Sequence, residues 1–307
     1  MKLVKKTNIF VLGNNDYTTN IIMSPLFDNP SIRIVGCADT ATLTSGAGGL
    51  FSQALKLLRK MNFSYWLFLV FFNFFPKIRG FFRRFSHLDR TRGEYDSVAN
   101  ICSRKGLPYL KVSNINSREF KDHLRNLDVD LLIIRINQIL DKEILSIPRQ
   151  GTWCVHSSLL PAYGGFTAEF HALRHNEPWI GTTIFEVNTD LDGGAPLFQM
   201  SFPSSTSRSL FTHILTNNIL AGEVLSEAVE EVARMGKIHP HVFSPPPEKS
   251  YFRWPLSTHI KQFASQGYRI ISLQEALHFI LYGLLLAETP KQAEVAVKKG
   301  DVPTSDT

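Results

Sequence analysis

The chain is 307 residues long, 44% hydrophobic, with a formal net charge of +6. That length accommodates one large or two ordinary globular domains, and the apolar content is that of a chain able to bury a core. Three cysteines, Cys37, Cys102 and Cys154, are too few for a disulfide framework, which excludes a disulfide-stapled secreted scaffold and indicates a reduced, cytoplasmic setting.

The N-terminus is basic, but its apolar run, 9–12, covers only four residues before Gly13. A secretory leader needs about 7–15, so residues 8–12 are expected to form a first buried strand. The loop 13–20 can open a helix whose amide groups would receive a phosphate, with Asn14 and Asn15 as acceptor contacts. Asp16 opposes that, and the loop is neither a P-loop nor a G-x-G-x-x-G. Further strands are expected at 32–38, 109–112 and 130–134. Helices are expected at 93–105, 117–127 and 141–146, with Ser117 beginning a helix that carries Glu119 in its first turn. Strand and helix in alternation imply an α/β fold with a doubly wound, mostly parallel, Rossmann-like sheet, whose ligands bind beyond the carboxyl ends of the strands.

An insertion at 40–88 interrupts the alternation. It holds seven basic residues (Lys56, Arg59, Lys60, Lys77, Arg79, Arg83, Arg84) and, between Thr40 and Leu88, no acidic one. The remainder of the chain, 26 basic against 27 acidic, comes to −1. At its centre, 63–75 is apolar on every side of a helix and flanked by cations. It is shorter than the ~20 residues that span a bilayer. Residues 61–84 therefore read either as a segment lying on an anionic membrane surface, at the inner face, or as one that packs against the body of the protein or a second copy in a homodimer.

The second half continues with strands at 152–156, 182–187 and 196–201, a helix at 168–175 and a longer one at 207–235. A proline-rich break at 239–247 precedes a short module from Tyr251, expected to hold two helices, and a polar tail from 288 expected to fray. The divisions read from this are 1–205 for the main domain, 206–290 for a small helical C-terminal region and 291–307 for a disordered tail. His171 and His175 have helical spacing for a metal pair. No third ligand accompanies them, so they read as surface histidines and no metal is expected.

The most specific feature is the run His156-Ser157-Ser158-Leu159-Leu160-Pro161-Ala162-Tyr163-Gly164-Gly165, followed by Asp190-Leu191-Asp192-Gly193-Gly194. An imidazole and a carboxylate each beside a glycine-marked turn can handle a proton together. On a strand, Cys154 and His156 share a face and Val155 points away. A lone strand histidine or a lone Asp-Gly-Gly is most often structural; the ordered string is far more specific.

This string resembles the signature of the folate-dependent formyltransferases: Asn-x-His, Ser-Leu-Leu-Pro, a glycine turn and a later Asp-x-Gly, with Cys154 at the Asn position. The resemblance extends over about 8–201, including Asp130-Leu131-Leu132-Ile133-Ile134, Gly181-Thr182-Thr183 and Pro196-Leu197-Phe198-Gln199. It implies formyl transfer from 10-formyltetrahydrofolate to an amine of a small molecule, such as a nucleotide-linked amino sugar. His156 would be the catalytic imidazole, Asp192 the carboxylate that manages the proton, and the folate ring would lie against Ile134, Ile136, Gln138, Ile139, Asp190 and Leu191. Asn14, Asn15, Ser158, Tyr163 and Gly165 are assigned to the acceptor. Initiator-tRNA formylation is disfavoured, because the 57 residues from Tyr251 look short and little basic for that branch's C-terminal domain, so no nucleic-acid partner is expected.

Cys154 leaves three outcomes open, because a thiol is a weak donor and cannot replace an amide toward a developing oxyanion. Another donor, Asn137 or Gln138, can serve. The thiol can act as nucleophile in a Cys–His–Asp set, making a formyl or acyl hydrolase. Or the site binds without turnover, as a membrane-associated binding protein on the same fold.

Overall fold

A computed structural model describes residues 6–14, 16–40, 61–72, 97–136, 138–189, 193–244, 247–282 and 298–299. Its strands are β1 (Thr7–Asn14), β2 (Ile32–Thr40), β3 (Tyr109–Val112), β4 (Leu131–Arg135), β5 (Thr152–His156), β6 (Gly164–Gly165), β7 (Trp179–Glu186), β8 (Pro196–Pro203), β9 (Tyr251–Phe252) and β10 (Lys298–Lys299). The main sheet runs β10-β8-β7-β5-β4-β1-β2-β3. Strands β3, β2, β1, β4 and β5 pair in parallel, whereas β5–β7, β7–β8 and β8–β10 are antiparallel. The chain winds outward from β1 through β2 to β3, then crosses to β4 on the other flank of β1. That reversal opens a crevice at the carboxyl ends of β1 and β4, where an α/β sheet collects its ligands.

The helices are α1 (Tyr17–Met23), α2 (63–72), α3 (Val98–Lys105), α4 (Arg118–Asn126), α5 (Lys142–Leu145), α6 (Ala168–Arg174), α7 (Leu210–Met235), α8 (Ser257–Ser265) and α9 (Leu273–Tyr282). Side chains N-cap several of them: Asp16 for α1, Ser97 for α3, Ser117 for α4, Asp141 for α5 and Ser209 for α7. The residue expected to begin the helix at 117 is thus its cap. Two tail residues pair with β8 as β10, Lys298 with Ser201 and Lys299 with Met200; the rest of the segment expected to fray lies outside the described residues.

The sheet separates two apolar layers. Trp153 and Val155 of β5 face the larger one, which holds Phe170 of α6 and Leu215, Val224 and Val229 of α7. Cys154 faces the smaller, with Leu12, Leu132, Ile134 and Leu140. Helix α7 lies against α1 at close range, because a Cβ on Gly222 would stand only 2.9 Å from Ile22 O.

Helix α2 is apolar on two faces, and they meet different surroundings. Tyr65, Phe68 and Phe72 are buried and meet Phe170, Phe211, Tyr17 and Phe279 edge-on or stacked, with ring centroids 5.4–6.4 Å apart. Phe63, Leu67 and Val70 are exposed, at 58, 53 and 37%. Part of the insertion therefore packs on the body of the protein. Its remaining basic and aromatic residues, 41–60 and 73–88, lie outside the described residues.

Candidate active site

β5 delivers Cys154 and His156 to the crevice. Its neighbours are β4, with Ile134 in register with Cys154, and β7, with Thr183 in register with His156. From Val155 near the end of β5 into the loop beyond it, four consecutive carbonyls are held by side chains. Val155 O accepts from Arg135 Nη1 at 3.1 Å, His156 O from Thr182 Oγ1 at 2.9 Å, Ser157 O from Asn217 Nδ2 at 3.4 Å and Ser158 O from Thr183 Oγ1 at 2.7 Å. The turn that follows is fixed as firmly. Leu160 N donates to Thr183 Oγ1, and the buried Gln199 donates from Nε2 to Leu160 O at 2.7 Å while accepting from Phe243 N. A main chain satisfied group by group at a strand end holds its side chains in one orientation.

His156 is half-buried, and its Nε2 lies 3.1 Å from Tyr163 O. A carbonyl only accepts, so Nε2 carries the proton, and in the neutral ring Nδ1 is the acceptor. Cys154 is half-buried among apolar side chains, with Sγ 3.9 Å from Val155 O. Asp192, with Asp190, Leu191, Asn15 and the alternative donor Asn137, lies outside the described residues. The flanks of that aspartate loop are described. Glu186 N donates to Ala195 O, and Asn188 Nδ2 donates to Gly193 O at 3.2 Å. A Cβ on Gly194 would fall 1.8 Å from Glu186 O, so only glycine fits beside β7.

Ile134 is buried in β4, Ile136 and Gln138 are half-buried, and Ile139 is 68% exposed. Ser158 is buried, its hydroxyl donating to Ala162 O at 2.7 Å. Tyr163 stacks on Phe252 at 5.4 Å and donates to Glu177 Oε1 at 2.7 Å; burial, then the neighbouring carboxylate, raises its pKa. Gly165 pairs with Phe252 in the two-stranded sheet. Asn14 is buried and accepts from Thr40 Oγ1 at 2.8 Å.

Two expectations need correction. The start of α1 is capped by a carboxylate where a phosphate would sit, because Asp16 accepts from Thr19 N at 2.8 Å and from the Thr18 hydroxyl. Nor is His171 a surface residue. It is fully buried, stacked on Phe252 at 4.6 Å, with Nε2 2.8 Å from Arg253 O; His175 is exposed. Helix α6 is covered by α8 and β9, which the helical spacing alone does not reveal.

Arg135, Glu169 and Asn217 were not singled out from the sequence. Each is a polar residue inside an apolar stretch: Arg135 closes the run 131–134, Glu169 stands between Ala168 and Phe170, and Asn217 breaks the stripe of α7. That mismatch is the signal that could have found them.

The arrangement is a doubly wound α/β fold with an imidazole presented at the carboxyl end of β5, next to β4. Residues 86–218 match a family model described as Formyl transferase. Methionyl-tRNA formyltransferase from Thermotoga neapolitana is 31% identical over 146 residues, 46% of this chain and 45% of the relative. The Porphyromonas gingivalis methionyl-tRNA formyltransferase is 36% identical over 98 residues, 32% of this chain and 30% of its own. This chain therefore spans less than half the length of these curated relatives. Glycinamide ribonucleotide transformylase 1 from Symbiobacterium toebii has a similar fold (TM-score 0.51, 15% identity, covering 75% of this chain and 88% of that one). So does a sugar N-formyltransferase from Shewanella sp FDAARGOS_354 (TM-score 0.50, 12% identity, 83 and 78%). Over residues 86–218 the chain is thus similar to formyl transferases, and its fold is similar to that of the solved formyltransferase structures.

Proposed function

We propose that the chain transfers a formyl group from a 10-formyltetrahydrofolate donor to a primary amine on a small molecule, an amino sugar linked to a nucleotide being the class favoured. The observation that carries the proposal is the imidazole at the end of β5, its main chain held by four side chains, within the region that matches the formyltransferase model.

His156 is assigned as the catalytic imidazole at the strand end, where negative charge would develop on the formyl oxygen as the amine adds. Asp192 is assigned the proton that leaves the amine, and the loop 134–139 the donor ring. The donor supplies the activated one-carbon group. In the balanced exchange the amine nitrogen gains the C–N bond, the donor nitrogen loses its own, and one proton passes from the first to the second. Cys154 supplies less hydrogen bonding there than the family's Asn would, so the reaction is expected to be slow. A reducing, cytoplasmic setting accords with three free thiols.

We also infer that the outer face of α2 rests on an anionic lipid surface. Exposed Phe63, Leu67 and Val70 and the acid-free basic stretch around them support this. Among the described residues no helix is long and apolar enough to cross a membrane.

The test of the main reading is to incubate the full chain with 10-formyltetrahydrofolate and a panel of amines, with mass spectrometry for the formylated product. The panel holds glycinamide ribonucleotide, nucleotide-linked amino sugars and methionyl-tRNA. Formylation of a sugar amine supports the reading; formylation of methionyl-tRNA alone would replace its acceptor; and no product with any amine would contradict it.

A further inference from the structure

Glu169, at the start of α6, is 6% exposed. A carboxyl group so far from water is costly unless its neighbours compensate. Asn217 Nδ2 donates to its Oε1 at 3.1 Å, the Ser157 hydroxyl bonds it, and the Arg135 guanidinium acts on it through space. Burial raises its pKa, against the opposing pull of these groups.

The same neighbours grip the His156 main chain on both sides. Arg135 holds the carbonyl before the histidine and Asn217 the carbonyl after it. Asn217 is itself 1% exposed, and its Oδ1 has no hydrogen-bond partner, so Nδ2 carries all the fixed bonding of that side chain. Of its two bonds, the 3.1 Å one to Glu169 is better than the 3.4 Å one to Ser157. Without Glu169, the amide would be tied only by the longer bond it is meant to supply.

We propose that Glu169 is a positioning residue for the His156 imidazole, acting through Asn217 and Ser157, with Arg135 as its counterpart across the strand end. This rests on His156 being the working imidazole, and deepens the reading above. Glu169 touches none of the groups assigned to the reacting atoms; its effect is on where the ring stands. Misplacing a group by an ångström can cost about 10²-fold in rate.

The experiment follows the His156 ring resonances of histidine-labelled full-length protein by NMR through a pH titration, together with steady-state kinetics. In Glu169→Ala the His156 titration midpoint moves by about 0.5 unit or more, and kcat falls about tenfold with the donor KM changed less than about twofold. Glu169→Gln, which keeps an acceptor for Asn217, restores at least half of that loss. Asn217→Ser gives the same phenotype and serves if Glu169→Ala does not fold. The double variant loses no more than the larger single one, as expected for groups acting as one unit.

A folded Glu169→Ala or Asn217→Ser protein with native His156 titration and native kcat would overturn the inference, as would a Gln variant as impaired as Ala. The titration needs neither donor nor acceptor. If no form transfers formyl, the activity reading fails while the ring measurement still decides the positioning role.

Discussion

Cys154→Asn puts the account of the site under the most direct chemical pressure. The position is in register with Ile134 on one side and Phe185 on the other, and shares the His156 face of β5. A carboxamide there offers an N–H to an oxygen that the thiol can barely reach. One oxyanion donor is worth about 2.7–4 kcal/mol, or about 10²–10³ in kcat. The surroundings oppose the change, since Cys154 packs half-buried beside the layer that holds Ile134 and Val187. An amide with one unpaired group in such a place costs about 1–3 kcal/mol of stability, or a few degrees in Tm at about 2–4 °C per kcal/mol. The expected outcome is a protein that unfolds somewhat earlier and formylates its acceptor about 10²-fold faster. The assay is initial-rate formation of formylated product by mass spectrometry, with melting followed by circular dichroism. A folded variant with unchanged kcat would refute the reasoning that the missing amide limits the rate. Loss of all turnover in Cys154→Ser, together with selective iodoacetamide labelling of Cys154, would move the site to thiol hydrolysis.

Four further outcomes are expected. Phe68→Ala, on the packed face of α2, removes a side chain set among Tyr65, Phe72 and Phe211 and lowers stability by about 3–5 kcal/mol in urea unfolding. Serine at Phe63, Leu67 and Val70 changes stability by only about 0.5 kcal/mol per site but abolishes low-salt co-sedimentation with anionic vesicles; undiminished binding would sink the lipid reading. His171 and His213 are pushed down to about 4, chiefly by burial, and His213 accepts from Ser205 N at 3.2 Å, which requires it neutral. An unfolded histidine titrates near 6.5, so as the pH falls below about 6.5 the unfolded chain binds protons first, and stability drops until about 4 by on the order of 3 kcal/mol for each histidine. Urea midpoints at about pH 7.5 and pH 5 should show the loss, and His213→Gln should lessen it. Lys121 joins Asp141 and Glu143 at 2.6 Å each and holds both carboxyl groups below their usual range. Carboxylates lowered in this way stabilise above their unfolded pKa and lose that as pH falls through the folded one, so Lys121→Ala should move acid unfolding to higher pH; an unmoved acid midpoint would contradict it.

The parallel part of the sheet was legible because β1, β2, β4 and β5 are short apolar runs between helical patterns, and 109–112 and 152–156 were read with the bounds observed. The ends of other elements drifted by one to three residues, and the helix expected at 93–105 begins five later, at Val98, with Ser97 as its cap. Caps such as Ser117 and Asp141 look like helix in a pattern but hold extended backbone. The pairing of β10 with β8 could not be read, since Lys298 and Lys299 contribute main-chain bonds and no apolar signal. His156 and Cys154 were found from a motif and alternation, which are local. The clamp around them draws on Arg135, Thr182 and Asn217, three elements distant in sequence, and only the fold shows that they converge. The same holds for α2, whose all-apolar sequence conceals that one side finds Phe170 and Phe211 while the other finds none of the core.

The most direct test of the central claim is titration calorimetry of the full chain with a stable analogue of 10-formyltetrahydrofolate, with His156→Ala as the control. The account predicts one saturable site whose affinity falls in the variant, since the proposal sets the imidazole beside the formyl group. Absence of binding at about millimolar ligand, the weak end of specific affinity, or equal binding by a folded His156→Ala protein, would contradict a folate site at the end of β5.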